Sequence, residues 1–175
     1  SEKPMTFTEI IGADEYLYLH DNNARASYTN FFNDTDATST VFTVGSDNRT
    51  NGSGDSFVAY CFASIEGFSK IGSYNGNGST EGTFVYTGFR PAWVMFKRID
   101  TADNWAIFDV VRDTFNPLDS YIYADTSSAE TEFSTALVDY LSNGFKWRGT
   151  VNFGNNSSGR YVYMAFAEQP FKFSN

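Results

Sequence analysis

Two stretches of this chain are each written twice, and that repetition narrows the folds open to it more than any other feature. Tyr16-Leu17-Tyr18-Leu19-His20-Asp21-Asn22-Asn23-Ala24 returns as Tyr121-Ile122-Tyr123-Ala124-Asp125-Thr126-Ser127-Ser128-Ala129. Asn51-Gly52-Ser53-Gly54-Asp55-Ser56-Phe57-Val58-Ala59-Tyr60-Cys61-Phe62-Ala63 returns as Asn155-Asn156-Ser157-Ser158-Gly159-Arg160-Tyr161-Val162-Tyr163-Met164-Ala165-Phe166-Ala167. The first pair is offset by 105 residues and the second by 104, and 5 of the 13 positions in the second pair are identical. Internal self-similarity sets architecture before any local pattern does. It implies a duplicated, modular scaffold, of a kind that more often holds and presents than catalyses.

The repeated stretches read as β. The chain carries 18 Phe, 11 Tyr and 3 Trp, and aromatic and β-branched residues suit a pleated, half-buried surface. Gly, Asn, Ser, Thr and Asp fill the intervals, as turns require. Strands are expected at 15–19, 40–44, 57–63, 67–74, 83–89, 92–99, 104–111, 120–124, 145–148 and 161–167. Phe57–Ala63 is nearly all apolar, as a strand buried on both faces would be. Pro91 fits only a strand start or an edge. Residues 128–138 show helical spacing of Phe133, Ala136 and Leu137, enough for one helical turn or two. Roughly nine to eleven short strands with dense turns predict an all-β, antiparallel β-sandwich or jelly roll. One domain over residues 1–175 is expected, with 1–13 as an extension or linker, a partial repeat at 14–67 and a fuller repeat at 68–175. The first repeat has no counterpart of the Trp93/Trp105 hairpin. Either both copies share one sandwich, which is the reading preferred, or the chain is a piece of a longer tandem array.

Net charge is −9. That repels nucleic acid and anionic membranes, which bind through clustered Lys and Arg. No apolar run approaches the roughly 18–20 residues that span a bilayer, and no signal peptide is visible. The lone cysteine, Cys61, excludes an intrachain disulfide and reads as a small buried hydrophobe.

Several runs together resemble a domain of tail-fibre and other virion-surface proteins of tailed bacteriophages, many of them marine. They are Val44-Gly45-Ser46-Asp47, Asn51 to Ala63, Gly67-Phe68-Ser69-Lys70, Gly72 to Gly78, Gly88 to Arg98, Asn104-Trp105, Leu141 to Lys146 and Tyr161 to Phe171. The resemblance covers about residues 14–172. It implies a concanavalin A-like sandwich, a location at the virion surface outside the cell, and other virion proteins and further copies of the chain as partners. Host-receptor or glycan binding is the surface activity it suggests. It carries no catalytic residues with it.

The residues themselves offer little catalytic chemistry. A nucleophile system needs a histidine base, and the only histidine, His20, has Asp125 as its counterpart, so it reads as a surface strand or turn residue. A zinc site needs several His or Cys ligands. Glycoside hydrolysis needs two converging carboxylates; Asp109, Glu66, Glu81 and Glu168 are the candidates, and Asp109 is expected to pair with Arg112 or Arg98 instead. A glycan-processing hydrolase is therefore the alternative function, and a purely architectural or decoration protein the second. No cofactor is called for. Calcium is the one ion whose oxygen-rich ligation the acidic turns offer (Asp100, Asp103 and Asn104; Asp34 and Asp36; Asp47, Asn51 and Asp55), and none has EF-hand spacing. Glycan binding needs an exposed aromatic face with amides and carboxylates nearby. Two segments have that chemistry: Tyr74, Asn75 and Asn77 in one loop, and Asp100, Asp103, Asn104 and Trp105 in one turn.

Overall fold

A computed structural model describes residues 4–6, 8 and 10–169. In chain order the elements are β1 (Met5–Thr6), β2 (Glu15–Tyr18), β3 (Ala26–Ser27), α1 (Asn48–Asn51), β4 (Ser69–Asn75), β5 (Phe84–Tyr86), β6 (Pro91–Arg98), β7 (Ala106–Asp109), β8 (Ser120–Tyr123), β9 (Thr131–Glu132), β10 (Val138–Leu141), β11 (Gly144–Trp147), α2 (Asn152–Asn155) and β12 (Arg160–Ala167). The fold is an all-β antiparallel sandwich. A six-stranded sheet runs β4-β12-β6-β7-β8-β9, and a three-stranded sheet, β10-β11-β5, covers one face of it. A second small sheet, β1-β2-β3, brings Leu17 with the nearby Ile11 against Val162, Ile99 and Trp105 on the opposite face. Among the described residues no helix is long and apolar enough to cross a membrane.

Aromatic side chains fill the main core because alternate positions of β6, β7, β12 and β11 all point into it. Phe96, Phe108, Phe145, Trp147 and Tyr161 are fully buried, and each such side chain contributes about 1.5–3 kcal/mol by leaving water. Their polar atoms are matched. The Trp147 Nε1–H donates to Tyr74 Oη at 2.9 Å, Tyr74 Oη–H donates to the Gly154 carbonyl at 2.8 Å, and Tyr140 Oη–H to the Phe108 carbonyl at 3.1 Å. Gly154 is glycine because the indole of Trp147 passes where a Cβ would stand, at 1.9 Å.

The duplication recurs as geometry. The hairpin β2–β3 pairs Glu15 with Ser27 and Tyr16 with Ala26, and β8–β9 pairs Ser120 with Glu132 and Tyr121 with Thr131. Tyr28 N–H bonds the Asp14 carbonyl as Phe133 N–H bonds that of Asp119. The turns α1 and α2 follow at matching places, and Asn51 and Asn155 each donate their amide to the carbonyl of a glycine six residues back, Gly45 and Gly149, at 3.0 Å. Each turn then passes through a left-handed residue, Gly54 (φ 84°) and Ser158 (φ 64°).

The copies differ between these shared features, where β10 and β11 have no strand counterpart in the first copy, and they part again after the turn. Residues 161–167 lie in β12, paired on one side with β4 and on the other with β6. Residues 57–63 form no strand, and their backbone N–H groups find no acceptor among the described residues. The expectation of a doubly buried strand here is overturned. The reason is steric and topological: the six-stranded sheet has one slot between β4 and β6, and β12 occupies it. Cys61 is consequently exposed rather than buried. The expected strand at 40–44 is likewise absent; Thr40 and Val41 bond back to Thr38 in a local turn instead. Residues 128–138 hold the short strand β9 and the start of β10 instead of a helical turn, because Leu137 and Val138 bond to Leu118.

Candidate functional site

The seven residues expected to meet a glycan fall into two neighbourhoods that touch at Arg160. Asn75 is paired with Arg160 across β4 and β12, while Asp100 accepts the Arg160 N–H at 2.9 Å. Asn75, Ser73, Arg160, Ile99 and Ile10 line a concavity of about 420 Å³ between them. The two aromatic rings expected to stack on sugar are not available to it. Tyr74 is buried, stacked on Tyr161 with centroids 5.0 Å apart, and burial raises its hydroxyl well above the usual tyrosine range. Trp105 is buried too, its Nε1–H donating to the Tyr18 carbonyl at 2.9 Å. Asn77 holds its own loop, bonding Glu81 O, Ser79 N and the buried Asn155. Asp100 takes two bonds from the Arg98 guanidinium.

Asp103 and Trp105 adjoin Lys97, which is fully buried, while the Asn104 N–H donates to the Asp103 carboxylate at 3.0 Å. The Lys97 ammonium donates to the main-chain carbonyls of Asn22 at 3.0 Å and Asp103 at 2.6 Å and lies 5.9 Å from the Trp105 ring. Burial pushes its pKa down to about 8, against the pull of Asp125, Asp103 and Asp21. Burial also raises the Asp103 and Asp125 carboxyls. Asp125 Oδ1 caps the Trp105 N–H at 3.1 Å. His20 stands in the adjacent turn, 3.7 Å from Asp21, and its ring nitrogens are buried without a hydrogen-bond partner among the described residues. Lys97 thus ties the β2–β3 layer to the β6–β7 turn. Asp109 is held by Arg112 at 2.8 Å. Among the described residues no group of three or more His, Cys, Asp or Glu is placed to hold a metal.

A different surface has the chemistry that the buried rings lack. In the three-stranded sheet Val85, Val138, Tyr140, Phe145 and Trp147 point into the core. Alternation then turns Phe84, Tyr86, Lys146, Asp139 and Leu141 outward. Cross-strand register sets them in two rows, Phe84–Lys146–Asp139 and Tyr86–Gly144–Leu141. Phe84 is 45% exposed and Tyr86 64%. Beside them runs a chain of ion pairs: Lys146 to Glu81 at 2.7 Å, Glu81 to Arg148 at 3.5 Å, and Arg148 to Asp139 at 2.6 Å. The Lys146 hydrogen bond holds the Glu81 carboxyl below its usual range. Two apolar rings thus sit next to a neutral set of strong donors and acceptors. Sequence reading missed this face because Phe84-Val85-Tyr86 is apolar throughout; only the pairing with Lys146 and Gly144 shows which rings turn out.

Comparison with curated proteins and with solved structures finds no match. One family model, described as a domain of unknown function (DUF7483), matches residues 2–170. The chain belongs to that family.

Proposed function

We propose that this is a non-enzymatic β-sandwich module of a tailed-phage virion surface, structural in role, that holds a neutral host glycan on the outer face of the β5-β11-β10 sheet. The carrying observation is the exposed pair Phe84 and Tyr86 beside the Lys146–Glu81–Arg148–Asp139 chain. Aromatic faces take the C–H face of a pyranose, and the flanking charged groups supply donors and acceptors for its hydroxyls. Balanced charge on the four ionic groups favours a neutral sugar over an acidic one. The virion setting rests on the family resemblance of the sequence.

Glycan-array screening followed by calorimetry tests it. Tyr86→Ala is expected to weaken binding about tenfold, ~1.4 kcal/mol, with Phe84→Ala close behind and the fold unchanged by circular dichroism. A silent array favours the purely architectural role. The hydrolase alternative draws on Asp103 and Asp125, whose carboxyls are raised. Both serve main-chain N–H groups beneath Trp105, and neither lines the concavity beside Arg160. Release of reducing sugar from any bound polysaccharide would refute the non-enzymatic reading.

A further inference from the structure

The chain has seven arginines. Six of them, Arg25, Arg49, Arg90, Arg98, Arg112 and Arg148, are each ion-paired to an Asp or Glu. Arg160 is the seventh, and among the described residues its guanidinium meets no carboxylate. Net charge is −9, so carboxylates are in surplus and an unpaired arginine is the exception. The carboxylate beside it is already committed. Asp100 accepts the Arg160 main-chain N–H at 2.9 Å and takes two bonds from Arg98.

Arg160 lines the concavity of about 420 Å³, and Ser73 and Asn75 share that lining. Ser73 and Asn75 stand two residues apart on β4 and so on one face of it, with Asn75 opposite Arg160 in the β4–β12 register. Among the described residues neither the Ser73 hydroxyl nor the Asn75 side-chain amide makes a hydrogen bond. The amides of the adjoining loops are engaged instead, Asn77 with Ser79 and Glu81 and Asn155 with Ser79 and Gly149. Ile10 and Ile99 add apolar walls. Alternation along β12 sets Arg160 on the side of Val162, which packs with Leu17 of the β1-β2-β3 layer. The concavity therefore lies across the six-stranded sheet from β5-β11-β10.

We propose that this concavity is a binding site for an acidic sugar, a hexuronate held by its carboxylate on Arg160. A planar guanidinium meets a carboxylate with two parallel bonds. The uncommitted hydroxyl of Ser73 and amide of Asn75 supply both donors and acceptors for ring hydroxyls. One guanidinium balances one negative charge, whereas the second charge of a phosphate would face a chain of net charge −9. The volume suits a small ligand. This site goes beyond the neutral-sugar face that carries Phe84 and Tyr86 and does not depend on it.

Titrating the full, isotopically labelled chain with trigalacturonate, and with its uncharged methyl ester, tests the proposal by NMR. The acid should shift the main-chain amides of Ser73 and Asn75 and the Nε of Arg160. The ester keeps the ring hydroxyls and should bind at least about tenfold more weakly, as loss of charge-assisted bonding costs. Arg160→Gln should bring the acid down to the affinity of the ester with circular dichroism unchanged, since the side chain is exposed and holds nothing in the fold. Tyr86→Ala should leave binding of the acid intact, which separates this site from the outer sheet face. Absence of shifts at millimolar acid overturns the proposal, as does equal affinity for acid and ester. Shifts centred on Phe84 and Tyr86 overturn it too, by moving the acid to the other face. Inorganic sulfate that binds as tightly as the acid would mean an adventitious ion only. An acidic peptide that binds more tightly would replace the sugar with a protein partner.

Discussion

Tyr161 and Phe57 hold corresponding places, each five residues beyond the start of a matching left-handed turn sequence Asn156-Ser157-Ser158 or Gly52-Ser53-Gly54. Tyr161 lies in the middle of a six-stranded sheet, its ring stacked on Tyr74 and its hydroxyl donating to the Asn152 carbonyl at 2.6 Å. Phe57 lies in unpaired chain and faces solvent. Before the turn the two halves share the first hairpin, the helical turn and the amide-to-glycine bond, while β10 and β11 have no strand counterpart in the first copy. The difference begins where the chain needs non-local neighbours. A hairpin, a helical turn and an amide-to-glycine bond are short-range, so a short sequence suffices to repeat them. A buried strand needs two flanking strands, and among the described residues only that of the second copy is placed between two.

That contrast can be broken by a matched pair of truncations. Tyr161→Ala should cost about 3–5 kcal/mol, as large-to-small changes at filled aromatic sites do. Phe57→Ala should stay within about 0.5 kcal/mol, as surface changes do. Urea unfolding of both variants decides it. A comparable loss for Phe57→Ala would mean that residues 57–63 are packed in solution and that the two halves are equivalent after all.

Sequence alone reached much of the fold because the informative elements are locally punctuated. The hairpin β6–β7 was legible from two apolar runs around Asp100-Thr101-Ala102-Asp103, with Pro91 opening the first. The strand β12 was legible from its alternation. Two kinds of feature were not. An apolar pattern records that a segment suits a strand, and it does not record whether a slot is free, so 40–44 read as a strand and 57–63 as a doubly buried one. Direction was the other. Tyr74 and Trp105 sit beside polar turn residues and read as exposed, whereas their rings fold back into the two cores. Phe84 and Tyr86 fall in the expected strand 83–89, whose apolar pattern gives no facing, and register turns them outward. The strand β10 was hidden because Phe133, Ala136 and Leu137 imitate a helical face just ahead of it.

Lys97 joins the two halves, since its ammonium bonds the Asn22 carbonyl of the first copy and the Asp103 carbonyl of the β6–β7 turn. It therefore sharpens the comparison through pH. Burial depresses its pKa from 10.5 to about 8. Between those values the unfolded chain holds a proton that the folded chain has released. Stability should therefore rise with pH across that window, at no more than about 1.4 kcal/mol per pH unit. The cost of burying the charge is fully present below pH 8. Burial holds Tyr161 and Tyr163 up near 12, which gives an opposing slope only above about pH 10, so pH 8–10 is the clean interval. Lys97→Met should remove the rise, read as the difference in urea-unfolding free energy between variant and wild type at each pH. Asp21, Asp103 and Asp125 all lower the energy of the charged lysine. A rise that persists in Lys97→Met would place its source in another group and leave the two layers joined by apolar contact alone.

An effect smaller than that at Tyr161 lies at the turn that both copies share. Gly54 and Ser158 have the same left-handed backbone, which costs a non-glycine residue about 1–2 kcal/mol. Nothing lies within 4 Å of a Cβ built on Gly54, so Gly54→Ala meets no clash and pays only that conformational cost. Ser158→Gly relieves the same strain but frees the unfolded chain, which offsets it by about 0.5–1 kcal/mol. The net should be a gain below about 1 kcal/mol, visible as a small rise in the urea midpoint. The two substitutions together report how firmly each turn is held. If Gly54→Ala shows its full cost, the first copy is ordered up to residue 56 and only the chain beyond it departs from the second. If Gly54→Ala costs nothing while Ser158→Gly still stabilises, the turn around α1 opens with the chain that follows it. The boundary between the shared and the divergent parts of the two copies would then move back toward Gly45.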